Sequence, residues 1–273
     1  MAKARKILKR RNAVRSIRTV TKTMEMVSTA RFRRSHTHAA AVDHPLLHPD
    51  GESKREVLFV LTSNHGLCAG YNQSVLRVAL ERLGQTIEAG YDVRVHVAGK
   101  KGISHLRSRG MQPDREYTDF DGLPDYGRIG RLAERFMEQY TQGKIGGMEV
   151  AYTRMISATQ SRPVIAQILP IDWLVGDTEQ PDPATSVVVP YELHPSPEEI
   201  LRNLLPAAVR LRFYQCFLDA AVVEQVARMT AMRSATENAD ELIGRLTVQY
   251  NRMRQQQITT ELSEILGGRA GLE

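Results

Sequence analysis

The sequence predicts an α/β protein in which long N- and C-terminal helices pair as an antiparallel coiled coil beside a small domain with a mostly parallel sheet. Two observations predict the helices: residues 224–266 contain no proline and one glycine, and residues 2–41 contain no proline. A third predicts the sheet, because strand-like and helix-like stretches alternate between the two ends. The predicted segments are an N-terminal helix (1–45), a central α/β domain (55–175), a loop (176–195) and a C-terminal helix (196–273).

The C-terminal helix carries an apolar seam with alternating steps of three and four residues. Apart from polar Thr236, its members are Met229, Met232, Ala239, Ile243, Leu246, Tyr250 and Met253. This spacing is typical of the narrow contact line of a coiled coil and not of the wider apolar face of a surface helix. The repeat breaks at the polar residues 254–257 and resumes out of phase at Ile258. A partner other than a uniform coiled-coil helix is therefore expected to face the break.

The N-terminal helix supplies a second seam of the same spacing, formed by Ile17, Val20, Met24 and Val27. Two terminal helices of matching period favour an antiparallel pair. Two amphipathic helices that lie separately on a globular core are an equally good interpretation of the pattern alone.

The positive charge of the chain is concentrated in the N-terminal helix. Residues 1–35 hold four lysines and eight arginines against Glu25 alone, a net charge of +11, so the other 238 residues carry −5 of the overall +6. Such a helix fits a nucleic-acid or membrane-surface arm, an organelle transit peptide, or a rod that lies against acidic protein surfaces. The transit peptide is the weakest of these interpretations, because cleavage would remove the seam that the C-terminal helix needs.

The composition limits the class of protein further. With 42% hydrophobic residues and no apolar run near eighteen residues, the chain is predicted to be soluble and to lack a membrane span. Cys68 and Cys216 lie far apart in the sequence and lack metal-ligand spacing. They indicate a reducing compartment without a disulfide framework.

Short apolar segments between helical stretches predict a Rossmann-like central domain. The predicted strands are EVLFVLTS (56–63), DVRVHVAG (92–99), and the pair EVAYTRMISATQSRP (149–163) and VIAQILPID (164–172), interrupted by Ser161, Arg162 and Pro163. The predicted helices cover 73–88, 102–110 and 129–142, with a looser region at 111–127.

The C-terminal helix has a clear predicted start. Prolines and acids in DTEQPDP (177–183) indicate a surface loop, and VVVPYEL (187–193) is a candidate edge strand. Ser196 is expected to cap the helix and Pro197 to occupy its first turn. Pro206 is expected to kink the helix soon after it begins.

Catalytic and cofactor motifs are weak in this chain. Gly66 to Gly70 and Gly99 to Gly102 follow strands, but neither segment matches the dinucleotide fingerprint or the P-loop, so no bound phosphate is expected. A nucleophilic Cys68 with His65 as its base lacks a third, orienting group, and a buried structural cysteine is favoured. The clustered histidines lack a second set of metal ligands, so solvated histidines are expected at His36, His38, His44 and His48.

Three segments resemble a known family, the gamma subunits of rotary (F-type) ATP synthases. ARMTAMRSATENADELI (227–243) and LTVQYNRMRQQQITTELSEILGG (246–268) are similar to the C-terminal signature of that family. VRSIRTVTKTMEMVSTARFRRS (14–35) resembles its basic N-terminal helix, and NHGLCAGYN (64–72) resembles its central glycine loop. The segments stand in the family's order and span nearly the whole chain.

The resemblance implies a non-catalytic rotor shaft without a cofactor. In the family, the terminal helices form an antiparallel coiled coil inside a ring of three alpha and three beta subunits, and the α/β domain sits on the epsilon subunit and the c-ring. Catalysis takes place on the beta subunits and is coupled to ion flow through the membrane sector. The resemblance therefore implies a peripheral location on the cytoplasmic face of the bacterial plasma (inner) membrane.

The same resemblance implies roles for six residues. Arg254 and Gln255 match a polar contact with a beta loop, Met24 and Arg228 match a coupling region near beta, and Thr259 and Glu264 match helix positions that influence coupling. The glycine loop departs from the family, which has Asp-Arg where this chain has Asn64 and His65 and glycine at the position of Ala69. The segment before the first strand is also shorter than usual, which predicts a shorter N-terminal helix or a trimmed domain edge.

Two other classes compete with the rotor. A nucleic-acid module would explain the basic helix, but Phe32 is the only aromatic residue near the basic cluster, and the C-terminal seam would stay unexplained. A small cysteine-dependent hydrolase would require Cys68 to be reactive.

Overall fold

The computed structural model describes residue 46 and residues 53–120, 122–157, 160–171 and 197–270. The elements in chain order are β1 (Arg55–Leu61), α1 (Tyr71–Glu88), β2 (Asp92–Ala98), α2 (Lys100–Ser108), β3 (Arg115–Tyr117), α3 (Tyr126–Thr141), β4 (Gly147–Met155), β5 (Ser161–Leu169) and α4 (Pro197–Ala270). The predicted N-terminal helix (1–45), loop (176–195), edge strand (187–193) and histidine cluster lie outside the described residues.

The five strands form one sheet in the order β3-β2-β1-β4-β5. β1 runs parallel to β2 and to β4, β2 runs parallel to β3, and β5 alone is antiparallel to its neighbour. The predicted mostly parallel sheet is therefore confirmed. β5 reverses direction because only five residues separate it from β4, too few for the crossover that a parallel pair requires.

The structure corrects two strand assignments. The predicted break at Ser161, Arg162 and Pro163 is wrong, since these residues form the start of β5 and pair with β4. β5 is an edge strand, so the missing N–H of Pro163 can be tolerated there. β3 lies inside the segment predicted to be irregular, and its three residues, one of them half-buried, carry no apolar run that could have revealed it.

The sheet is buried on both faces, which explains the nearly continuous apolar run of β1. Val57, Phe59 and Leu61 point to the face covered by α3 and α4, whereas Leu58 and Val60 point to the face covered by α1 and α2. This alternation follows from the two-residue period of a strand.

The first part of α4 completes the core of the α/β domain. Its side chains in the main hydrophobic core, which lie three or four residues apart except for the adjacent pair Cys216 and Phe217, are Leu205, Val209, Phe213, Cys216, Phe217 and Ala220. Phe213 contacts the Phe59 ring edge-to-face at a centroid distance of 5.4 Å. Pro206 lies inside α4, and the helix continues on both sides of it. The helix thus has a role in the sheet domain in addition to the predicted coiled coil.

The chain divides into two compact units, Met1–Ala227 and Arg228–Glu273. The described part of the second unit is the helical remainder of α4, through Ala270. In the ranges that the structure describes, no helix combines the length and the apolar character needed to cross a membrane.

Candidate partner-contact surface

The predicted seam lies on α4 with its large apolar side chains exposed. Met229, Met232, Ile243, Leu246, Tyr250 and Met253 are the large members of this seam, and each exposes more than a third of its surface. An apolar line of this length on a solvated helix marks an interaction surface. The seam is therefore a candidate partner-contact surface.

Polar Thr236 fits the seam because its hydroxyl is satisfied inside the helix. Thr236 Oγ1 donates to the backbone oxygen of Met232 at 3.0 Å. This local bond leaves the threonine methyl group for contact with a partner. A threonine at this position therefore does not require a polar group on the partner.

Local ion pairs contribute little to the stability of this unit. Arg233 contacts Glu237 at 2.9 Å, one helical turn away, and both side chains are mostly exposed. Arg245 and Glu241 form a second pair with the same spacing. Each pair contributes about 0.3 to 0.5 kcal/mol. Burial of the seam by a partner would therefore stabilise the helix more than these pairs do.

The polar break is exposed on the same unit. Arg254 and Gln255 are both exposed, and Thr259 Oγ1 donates to the backbone oxygen of Gln255 at 2.9 Å. The structure thus brings Gln255 and Thr259 within one helical turn of each other. These residues form a polar surface that a partner could contact.

Of the other predicted contact residues, the structure describes the surroundings of Arg228 alone. Arg228 is half-buried and lies 26 residues before Arg254, about 39 Å along a helix axis. The backbone of Glu264 belongs to α4, and Met24 lies outside the described residues. The roles assigned to all six residues stay predictions.

The glycine loop between β1 and α1 is held by its own hydrogen bonds. The amide of Asn72 donates to Ser63 Oγ at 2.8 Å and to Cys68 Sγ at 3.2 Å. Asn64 connects neighbouring strand ends, since its Nδ2 donates to the backbone oxygen of Thr118 and its Oδ1 accepts from the Lys100 backbone N–H. The side chains of the loop therefore bind one another and the sheet edge.

The first backbone donors of α2 already have partners. Lys100 N–H donates to Asn64 Oδ1 at 3.1 Å, Lys101 N–H to the Ser63 oxygen at 3.1 Å, and Gly102 N–H to Thr62 Oγ1 at 3.1 Å. A phosphate at this helix start would need the same donors. The segment from Gly99 to Gly102 is therefore a structural turn.

The surroundings of Cys68 fit a structural cysteine. The thiol is buried and lies 3.7 Å from Ser63 Oγ, and it donates to the backbone oxygen of His65 at 3.9 Å. The contact with His65 is thus made by its carbonyl group and not by its imidazole. A thiol in these surroundings lacks the oriented base that a nucleophile requires.

A polar cluster inside the first unit was not predicted from the sequence. Asp219 on α4 is buried, and its charge acts on Tyr152 and Arg154 of β4. Arg154 Nε donates to the Tyr152 hydroxyl at 3.0 Å. Burial raises the pKa of the Cys216 thiol to about 12, so this second cysteine stays protonated at neutral pH. The available signal was Asp219 itself, a lone acid in the apolar stretch YQCFLDAAVV (214–223).

Comparison with known proteins gives matches along the whole chain. A family model described as ATP synthase matches residues 3–272. An ATP synthase gamma chain of Rhodopirellula baltica is 39% identical over 295 residues and covers 100% of both chains. An ATP synthase gamma chain of Anaeromyxobacter sp. (strain Fw109-5) is 33% identical over 297 residues, again with 100% of both chains covered.

Solved structures share the fold at low sequence identity. A chain of the Euglena gracilis mitochondrial ATP synthase, in a structure of OSCP, F1 and c-ring in rotational state 3, has a TM-score of 0.57 at 15% identity. That match covers 99% of this chain and 95% of the other. A chain of the rotor of the same enzyme in rotational state 1 has a TM-score of 0.53 at 14% identity, with 94% and 99% covered.

Proposed function

This chain belongs to the gamma-chain family of ATP synthases, and on that basis we propose how it works as the rotor shaft of such an enzyme. Gamma chains are non-catalytic subunits of the central stalk, so the chemistry of ATP takes place on other subunits. The chain couples ion flow through the membrane sector to conformational change at catalytic sites on the beta subunits. The main support for the proposal is the exposed apolar seam on α4. The seam lies in a chain that matches a gamma chain over its whole length.

The shaft is an antiparallel coiled coil of the two terminal helices. The seam on α4 is exposed in the described residues and needs a partner of the same period. The N-terminal segment 1–45 supplies that period at Ile17, Val20, Met24 and Val27. Burial of one large apolar side chain contributes about 1.5 to 3 kcal/mol, so a seam of six such residues provides a large driving force.

Three alpha and three beta subunits surround the shaft. The polar break supports this arrangement, because Arg254 and Gln255 are exposed where the heptad pattern stops. A desolvated hydrogen bond to a charged group is worth up to about 3 kcal/mol, compared with at most about 1 kcal/mol for an exposed ion pair. Contacts made in only one angular position change the relative stability of the catalytic sites as the shaft turns.

The α/β domain contacts the epsilon subunit and the c-ring. Membership of the gamma-chain family supports this placement. The assembled complex is then attached to the cytoplasmic face of a bacterial plasma (inner) membrane. The chain reaches the membrane through its partner subunits.

Co-purification from membranes tests the proposal. A tagged copy of the chain is expressed in cells that lack the native copy, and its partners are identified by mass spectrometry. We expect alpha, beta, epsilon and c subunits, and ATP hydrolysis in the purified material that drives ion uptake into vesicles. A salt-dependent gel shift by the pure chain, without these partners, would favour a nucleic-acid module instead.

A further inference from the structure

The last turns of α4 inside the first unit are held by residues of the glycine loop and of β4. The Tyr71 hydroxyl donates to the backbone oxygen of Ala220 on α4 at 3.3 Å. One helical turn later, Val223 is buried in a small cluster of its own with Cys68, Tyr71 and Met155. We use the term anchor for Cys68, Tyr71, Met155 and Val223 together with the Tyr71 hydrogen bond. It ends five residues before Arg228, where the second unit begins.

The backbone of the glycine loop is bent to form the anchor. Leu67 has a φ of 62° and Ala69 a φ of 48°, so two residues with a Cβ adopt the left-handed conformation on either side of Cys68. Residues other than glycine and asparagine rarely adopt this backbone conformation, and they do so where surrounding contacts stabilise it. The bend turns Cys68 inward, leaves Leu67 exposed, and starts α1 at Tyr71.

Polar side chains of β4 interact electrostatically with the same turns of α4. Asp219 precedes Ala220 and exposes only 5% of its surface. It interacts electrostatically with Arg154, whose guanidinium also donates to Tyr152 and lies 5.9 Å from the centre of the Tyr152 ring. The charge of Asp219 on α4 therefore acts on β4.

We propose that the anchor is the point at which torque passes between the α/β domain and α4, an inference that rests on the proposed rotor function. The anchor is the set of α4 contacts that lies nearest to Arg228 in the sequence. The Tyr71 hydrogen bond to the helix backbone restrains the rotation of α4 about its own axis at this point, and the buried Val223 restrains its distance from the loop. The glycine loop thus acts as a positioning element for the shaft.

Angular fluctuation of the stalled shaft measures this stiffness directly. The complex is immobilised through its beta subunits, stalled with ADP, and observed through a probe fixed to the α/β domain. The test variant is Tyr71→Phe, which keeps the ring and removes the hydroxyl, alone and with Val223→Ala. The matched control is Tyr214→Phe, because Tyr214 also donates from α4 to a backbone oxygen, that of Pro124, at 3.3 Å.

We expect the angular variance to increase with Tyr71→Phe and to increase more with the double variant, while Tyr214→Phe stays at the wild-type value. ATP-driven ion uptake per ATP hydrolysed should fall in the same order. Equal variance in Tyr71→Phe, the double variant and wild type would overturn the inference, as would an equal increase in Tyr214→Phe, which would indicate a general loss of stability. If the wild-type chain does not assemble with beta, the proposed function itself is wrong.

Discussion

Leu246 and Val248 lie two residues apart on α4, and the helical period therefore places them on opposite sides of the helix, yet both are exposed, by 53% and 69%. Only Leu246 belongs to the heptad seam. The two residues distinguish a helix that pairs along its seam from a helix that stays in solvent. A coiled-coil partner would bury Leu246 and leave Val248 exposed, whereas in an unpaired helix both residues would stay exposed.

Leu246→Glu should therefore destabilise the full chain more than Val248→Glu. Loss of one buried leucine contact costs about 1.5 to 3 kcal/mol, and a substitution on an exposed surface costs within about 0.5 kcal/mol. Thermal melting followed by circular dichroism, together with co-purification with alpha and beta, measures the difference. Equal melting temperatures for the two variants would exclude pairing along this seam.

Gly99→Ala should disrupt the turn between β2 and α2. Gly99 has a φ of 103°, and a Cβ there would lie 2.2 Å from the backbone oxygen of Thr62. Gly90 has a similar φ of 87° but no atom within 4 Å of an added Cβ, so it is the matched control. Gly90→Ala should cost about 1 to 2 kcal/mol from backbone strain alone, and Gly99→Ala clearly more.

Denaturant unfolding at equilibrium compares the two glycine variants. The prediction is a larger decrease of the unfolding midpoint for Gly99→Ala at an unchanged slope. Two equal midpoints would show that the close approach of Gly99 to Thr62 has no energetic consequence.

His96 should make the sheet domain sensitive to acid. The imidazole is buried beside Phe136 and Tyr117, and burial lowers the pKa of His96 to about 4. The unfolded state binds the proton more tightly than the folded state, so protonation of His96 favours unfolding. The folded state is therefore not penalised above about pH 6.5, and its stability decreases as the pH falls from there towards 4. The loss is on the order of 3 kcal/mol.

His96→Leu should remove most of this pH dependence. His105 on α2 is partly exposed, so His105→Leu is the control. The measurement is the free energy of unfolding between pH 7 and pH 4 for the three proteins. A pH profile of His96→Leu that follows wild type would refute the assignment.

Replacement of Arg254 and Gln255 by alanine should slow the assembled enzyme without preventing assembly. Both side chains are exposed in the described structure, so the isolated chain should lose less than about 0.5 kcal/mol of stability. Inside the proposed ring of subunits the same groups would become desolvated, and their loss would cost up to about 3 kcal/mol. Arg252→Ala, on the same exposed helix, is the control. ATP hydrolysis rates of the purified complexes test the prediction, which fails if the double variant matches wild type.

Much of the α/β domain could be predicted because its signals are local. The apolar run of β1 and the alternation in β2 identify strands whatever their partners are. β3 could not be found, since its pairing with β2 at His96, Val97 and Ala98 depends on residues distant in sequence. The inclusion of Ser161 to Leu169 in one antiparallel edge strand likewise depends on its pairing with β4.

The double role of α4 shows the limit of periodicity. Val209, Phe213 and Phe217 repeat at four residues, and Ile243, Leu246 and Tyr250 repeat at three and four. The first group packs on a sheet and the second is exposed. The spacing of apolar residues shows that a helix has an apolar face, but it does not show which part of the protein or which partner packs against that face. The roles of Met24, Arg228, Thr259 and Glu264 depend on partner subunits in the same way and stay predictions.

Rotation of single complexes tests the central claim most directly. Beta subunits are fixed to a surface, and a probe is attached to the α/β domain of this chain through a cysteine that replaces Ser108, an exposed residue at the end of α2. With ATP present, we predict rotation in one direction with one dwell for each beta subunit in every turn. A probe that stays fixed relative to beta while the complex hydrolyses ATP would contradict the account.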